Sequence, residues 1–175
     1  MDFDRRQLLQ TASAFAVAGT AGIAGCGGGG SDAPAPPPPP TNTAAVGTWS
    51  EHITATIAAA QAAGAGLFSN VEARVQAMVY AAIHDSLNAI DRRYAPWRVD
   101  VRDASANPDA AVASAARDVL VALLPAQTAF VQTRYQTAID AVSNGSDKTA
   151  GIALGQQVAA AVLAARQDDG AAQSE

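Results

Sequence analysis

SNVEARVQAMVYAAIHDSLNAIDRRYAPW, residues Ser69 to Trp97, is the stretch whose reading decides the fold. Val75, Val79, Ala82, Ile83, Leu87 and Ile90 recur in it at helical spacing. Ser69 with Glu72 three residues on has the pattern of a capping box, so the helix is expected to open there. Pro96 forbids continuation and biases Ala95 away from helix. A second stripe, Arg74, Met78, Ala81, Asp85 and Asn88, advances by fours and threes and shares one face. Charged and amide groups beside an apolar face need partners from elsewhere in the chain. Arg74, Asp85 and Asn88 are therefore read as a structural polar network, tied to a loop backbone or to an arginine such as Arg74, Arg92 or Arg117.

Working outward, the same periodicity gives four more helices. Thr48 and Glu51 form a second capping-box pattern around Trp49, opening a helix with Ile53, Ile57 and Ala60 on one face. Gly64 and Gly66 end it. After the central helix comes a loop from Arg92 to Ala106. Asn107 caps a third helix with Pro108 at its first position, burying Val112, Ala116, Val119, Leu120 and Leu123. Pro125 kinks it or starts a fourth, with Phe130, Val131, Tyr135, Ala138 and Val142 inward. Asn144-Gly145 is a turn, and Ser146 caps a last helix burying Leu154, Val158, Ala161, Val162 and Ala165. Alanine dominates and no alternating strand pattern is present. The fold class is all-α, an antiparallel bundle of about five helices over residues 46–175. Met78, Tyr80 and Ile83 place apolar groups on more than one side of the central helix. An exposed apolar patch on the order of several hundred Å² is expected there.

Residues 1–26 read as an address and 27–45 as a disordered tether. Arg5 and Arg6, within Asp4-Arg5-Arg6-Gln7-Leu8-Leu9, resemble a twin-arginine export motif, and Thr11 to Gly25 is a mildly apolar h-region. Ile23-Ala24-Gly25-Cys26 resembles a lipobox, whose cysteine is acylated. The apolar run is too short and too rich in Gly for a spanning helix, which needs about 20 apolar residues. Cys26 is the only cysteine, so no intrachain disulfide is possible. Gly27 to Gly30 and the run ending at Pro40 form a flexible, then extended, spacer. The chain is thus expected to be exported to the periplasm or outer envelope and held at a membrane by a lipid.

The balance of 11 Lys+Arg against 16 Asp+Glu, with no basic cluster, excludes an electrostatic footprint for nucleic acid. His84-Asp85 invites a metal or acid–base proposal, but neighbours on a helix point about 100° apart, and the only other histidine is His52. A closed zinc shell needs four ligands, so no metal site is read. Ser86 beside them makes no triad, because consecutive helical side chains diverge. Arg92, Arg93, Arg98 and Arg102 could gather an oxyanion, but interleaved Asp91, Asp100 and Asp103 favour surface ion pairs. Tyr94 and Trp97 read as loop anchors, and Gly151 with Gly155 as close helix packing rather than a phosphate loop.

The run Arg74 to Trp97 resembles the N-terminal helical region of bacterial vanadium haloperoxidase-related proteins, of the phosphatidic-acid phosphatase type 2 superfamily. Trp49, Leu124-Pro125, Gly151 with Gly155 to Ala159, and Arg166-Gln167-Asp168-Asp169-Gly170 agree with it, so the likeness covers roughly Val46 to Gly170. That resemblance implies phosphate or vanadate chemistry through a Lys-x6-Arg-Pro pattern, a Pro-Ser-Gly-His segment and a Ser-Arg-x5-His-x3-Asp segment. Lys148 is followed by no Arg-Pro, and the two histidine segments are lacking. The chain is therefore expected to be the N-terminal helical segment of such an exported protein, inactive alone and without a catalytic residue or cofactor of its own. Vanadate would enter only if a missing C-terminal part completed the site. Missing C-terminal helices or a second copy of the chain are the expected partners. The alternative is a non-catalytic envelope lipoprotein whose bundle binds a partner.

Overall fold

The computed structural model describes residues 43–171. Five α-helices follow one another there: α1 (Thr43–Ala62), α2 (Ser69–Ile90), α3 (Pro108–Leu123), α4 (Thr128–Asp140) and α5 (Ser146–Ala165). A 3-10 turn, Pro125–Gln127, joins α3 to α4. No strand is present among the described residues, and the helices form an antiparallel bundle. The signal and tether readings, with Arg5, Arg6 and Cys26, lie outside the described residues.

The helix starts show where local chemistry was overruled. α1 opens at Thr43, so Thr48 and Glu51 sit inside it and form no capping box. Ala44, Ala45 and Val46 carry nothing that interrupts a helical turn. The hydroxyls of Ser50, Thr54 and Thr56 instead bond back to carbonyls four residues earlier, at 2.9, 3.0 and 2.7 Å. At the other end the expected glycine stop is present, with Gly64 at φ +81°. The Gly64 N–H donates to the Gln61 carbonyl at 2.9 Å and the Ala65 N–H to that of Ala60 at 3.0 Å, a Schellman closure.

In α2, Phe68 rather than Ser69 is the cap residue, and no side chain caps the helix. Gln61 changes the outcome. Its amide accepts from the Leu67 N–H and donates to the Leu67 carbonyl, and it draws Glu72 Oε1 to 2.7 Å. Glu72 is thereby taken out of any box with Ser69. Asn107 caps α3 as expected, its side chain accepting from the Ala110 N–H at 3.1 Å. Gly145 takes the cap position of α5 in place of Ser146.

α3 is the axis of the bundle, a place the sequence reading gave to α2. It packs against each of the other four helices, and every residue from Ala110 to Ser114, then Ala115, Ala116, Val119 and Leu120, is buried. Small residues over most of its first two turns let neighbours close around α3, and its charged groups, Asp109, Arg117 and Asp118, are not in the buried set. Against α3 runs α5, close enough that both glycines of α5 are required. A methyl added at Gly155 would meet the Ala111 carbonyl, 2.8 Å from Ser114 Cβ and 2.9 Å from the Ala115 nitrogen. One at Gly151 would meet the Asn107 carbonyl and lie 3.0 Å from Ala110 Cβ.

Several expected core positions shift. Met78 and Ile83 are buried, so they do not form the exposed patch, and the Tyr80 hydroxyl lies 3.0 Å from Ser50 Oγ. Tyr80 is exposed as expected, and Phe68, Val71, Tyr94 and Trp97 carry the rest of the exposed apolar surface. Ile139 joins Val131 and Tyr135 in the core from α4, while Phe130, Ala138 and Val142 are half-buried. From α5, Leu154, Val158 and Val162 are buried, with Ala161 and Ala165 at the margin.

Candidate functional site

The last two turns of α2 place Asp85 and Asn88 one turn apart, facing the irregular segment between α2 and α3. Such a segment has backbone N–H groups that no helix satisfies. Asp85, with no exposed surface, accepts from three in succession: Trp97 at 2.7 Å, Arg98 at 2.6 Å and Val99 at 2.8 Å. Asn88 Oδ1 accepts from the N–H groups of Arg93 and Tyr94, both at 3.0 Å, and its Nδ2 donates to the Tyr94 carbonyl at 2.9 Å. Two side chains on a helix thus fold the loop back over its end. Further in, the Asp103 N–H donates to the Ala89 carbonyl at 2.9 Å, and Arg92 Nη2 donates to the Val101 carbonyl at 3.2 Å.

His84 Nδ1 is 3.0 Å from Asp85 Oδ1, closer than the divergence of neighbouring helical side chains suggested. Burial pushes the Asp85 carboxyl up, but the N–H groups of Trp97, Val99 and Arg98, with His84, outweigh it and hold it below the ordinary value. Next to it, Ser86 Oγ is buried without a hydrogen-bond partner. The Ser86, His84 and Asp85 neighbours therefore do not join in a relay; Asp85 is committed to the loop.

Arg74, grouped with these residues on sequence, takes its partners elsewhere. Its Nε lies 2.9 Å from Asp169 Oδ2 and its Nη2 is 3.2 Å from Oδ1, a two-point fork. Nη2 also donates to the Arg166 carbonyl at 3.1 Å. The Arg74 fork holds the Asp169 carboxyl below the usual carboxylate range. Arg166 lies with its guanidinium 5.7 Å from the centre of the Trp97 ring. These groups border a cavity of about 380 Å³, lined also by Asn70, Ala77, Met78 and Ala81. A stripe on α2 could not announce this pairing, because Asp169 is 95 residues further along the chain.

Other charged groups are placed structurally. Lys148 Nζ donates to the Val142 carbonyl and Asn144 Oδ1, at 3.0 and 3.1 Å, and so closes the turn before α5. Arg117 lies 4.2 Å over the Tyr135 ring, and burial raises the neighbouring Asp118 carboxyl although Arg117 opposes it. His52 meets buried Trp49 edge to face, with ring centres 5.2 Å apart. Burial, with Arg134 adding to it and Glu51 opposing, lowers its pKa. Among the described residues no three His, Cys, Asp or Glu side chains are grouped for a metal, and no helix is long and apolar enough to cross a membrane. Compared with known proteins, the chain matches no family model, no curated protein and no solved structure.

Proposed function

We propose that residues 43–171 are a non-catalytic helical scaffold of an exported, membrane-anchored protein, of the kind found at the N-terminal end of haloperoxidase-like and phosphatidic-acid phosphatase-like proteins. It acts by presenting a surface to further helices and turns over no substrate itself. One observation carries this reading. The separate stretches that bear the resemblance meet in space: Arg74 with Asp169, Arg166 with Trp97, Asp85 with Trp97 to Val99. Gly151 and Gly155, also part of it, seat α5 on α3. Vanadate or phosphate would then be held by residues outside this scaffold. Half-exposed Trp97 and exposed Tyr94 are the surface that a further helical segment would cover.

Purified residues 43–175 are expected to bind a hydrophobic dye or self-associate, with the signal falling when Tyr94 and Trp97 are changed to glutamine. Phosphatase and haloperoxidase turnover, with or without vanadate, should be absent. A monodisperse protein that binds no dye, or turnover abolished by His84→Ala, would overturn the scaffold reading. Anchoring is tested on the whole chain by Cys26→Ala, which should move it from the membrane to the soluble fraction. Unchanged membrane partition would refute the anchor alone.

A further inference from the structure

We propose that the cleft between the N-terminal half of α2 and the segment following α5 is a carboxylate-binding site, held in this structure by the chain's own Asp169. Its ligand is an aspartate or glutamate next to an apolar side chain on a docking polypeptide. The inference rests on the scaffold reading in one respect only, that the partner is a polypeptide.

The two halves of the Arg74–Asp169 pair are built differently. Arg74 stands on α2, its side chain 28% exposed and that of Asp169 16%. Asp169 lies beyond Ala165, the last residue of α5, in a segment whose residues 166–170 are exposed. That segment contributes no side chain to the buried core; the Arg74 fork, the Arg74 bond to the Arg166 carbonyl and the Ala171 N–H donating to Asp169 Oδ1 at 3.2 Å fasten it from the surface. Asp169 is an occupant that another carboxylate can replace, since a guanidinium fork matches any carboxylate at two points.

The space beside the fork supplies what Asp169 does not use. The cavity of about 380 Å³ has the Met78 side chain and the Trp97 ring in its wall. Trp97 is 47% exposed, a large apolar area left to water. A carboxylate with an apolar neighbour could take the fork and cover Trp97 at once, gaining apolar burial as well. Charge acts in the same direction. Arg74 and Arg166 face one acid, Asp169, in a chain whose formal net charge is −5. The cleft is locally cationic on an anionic protein, which selects for an acidic ligand.

The test uses the full chain and two blocked dipeptides, phenylalanyl-aspartate and its phenylalanyl-asparagine counterpart, titrated by calorimetry. Asp169→Ala should bind the acidic dipeptide at least about tenfold more tightly than the unaltered chain. Asp169→Asn, which keeps the shape and removes the charge, should show the same direction of change. Adding Arg74→Gln should abolish the gain, and the amide dipeptide should discriminate between none of the variants. Saturation should alter the emission of Trp97, Trp49 being 2% exposed. Equal affinity of the unaltered chain and both Asp169 variants overturns the proposal. So does equal binding of the two dipeptides. A purely structural pair would lower the melting temperature on Asp169→Ala with no gain in affinity, which also overturns it. Dye binding and the absence of turnover do not depend on Asp169, so the scaffold reading stands or falls separately.

Discussion

Asp85→Ala is expected to cost roughly 3 kcal/mol or more, because hydrogen bonds to a charged acceptor are the strong ones and three are lost together. The N–H groups of Trp97, Arg98 and Val99 all end on this one carboxylate. A domain of this kind is held by about 5–15 kcal/mol in total, so the melting temperature should fall by about 10 °C. The loop should also open, and it carries Arg92, Arg93, Arg98 and Arg102 as trypsin sites. Faster tryptic cleavage there, with the helical circular dichroism retained below the melt, is the expected signature. A melting temperature within about 2 °C of the unaltered protein, with unchanged cleavage, would refute the clamp.

The same carboxylate gives an acid limb to stability. Its folded pKa lies below the ordinary value of 3.8. The contribution is therefore full above that value and is lost as pH falls through the folded one. Asp169, held low chiefly by Arg74, has the same sign. Unfolding should set in below about pH 4, and Asp85→Asn should flatten that dependence while lowering stability at neutral pH. An identical acid profile for Asp85→Asn would assign the limb to other groups.

Gly155→Ala is expected to have the second large effect. Its added methyl would meet the backbone of α3 at the Ala111 carbonyl and the Ala115 nitrogen, neither of which can rotate aside. Overpacking of this kind costs about 1–3 kcal/mol, more where backbone must move. The helices must separate, and the neighbouring contacts of Val158 and Leu154 with the core loosen with them. Gly47→Ala is the control, since nothing lies within 4 Å of a Cβ there. A helical position without that obstruction should gain slightly from alanine. Thermal melts of the two variants should move in opposite directions. If Gly155→Ala melts with the unaltered protein, the close approach of α3 and α5 is not required.

Much of this architecture was legible in the sequence because its causes are local. The period of apolar residues gave α2 and its burial stripe. Asn107 with Pro108 gave the start of α3, and Gly64 the end of α1, since a cap or a left-handed turn depends on a few adjacent residues. The coupling of Asp85 and Asn88 to a loop backbone was also within reach, because the loop follows directly. Three things were decided only by tertiary structure. Ser69 lost its capping box when Gln61, from the preceding helix, drew Glu72 away. α3 became the axis because its alanine-rich surface lets several helices approach it at once, a property of the whole packing rather than of one stripe. Arg74 found Asp169 rather than Asp85, because a guanidinium binds whichever carboxylate the fold brings to its fork. Sequence spacing measures separation along a helix; it has no term for the chain's return 95 residues later.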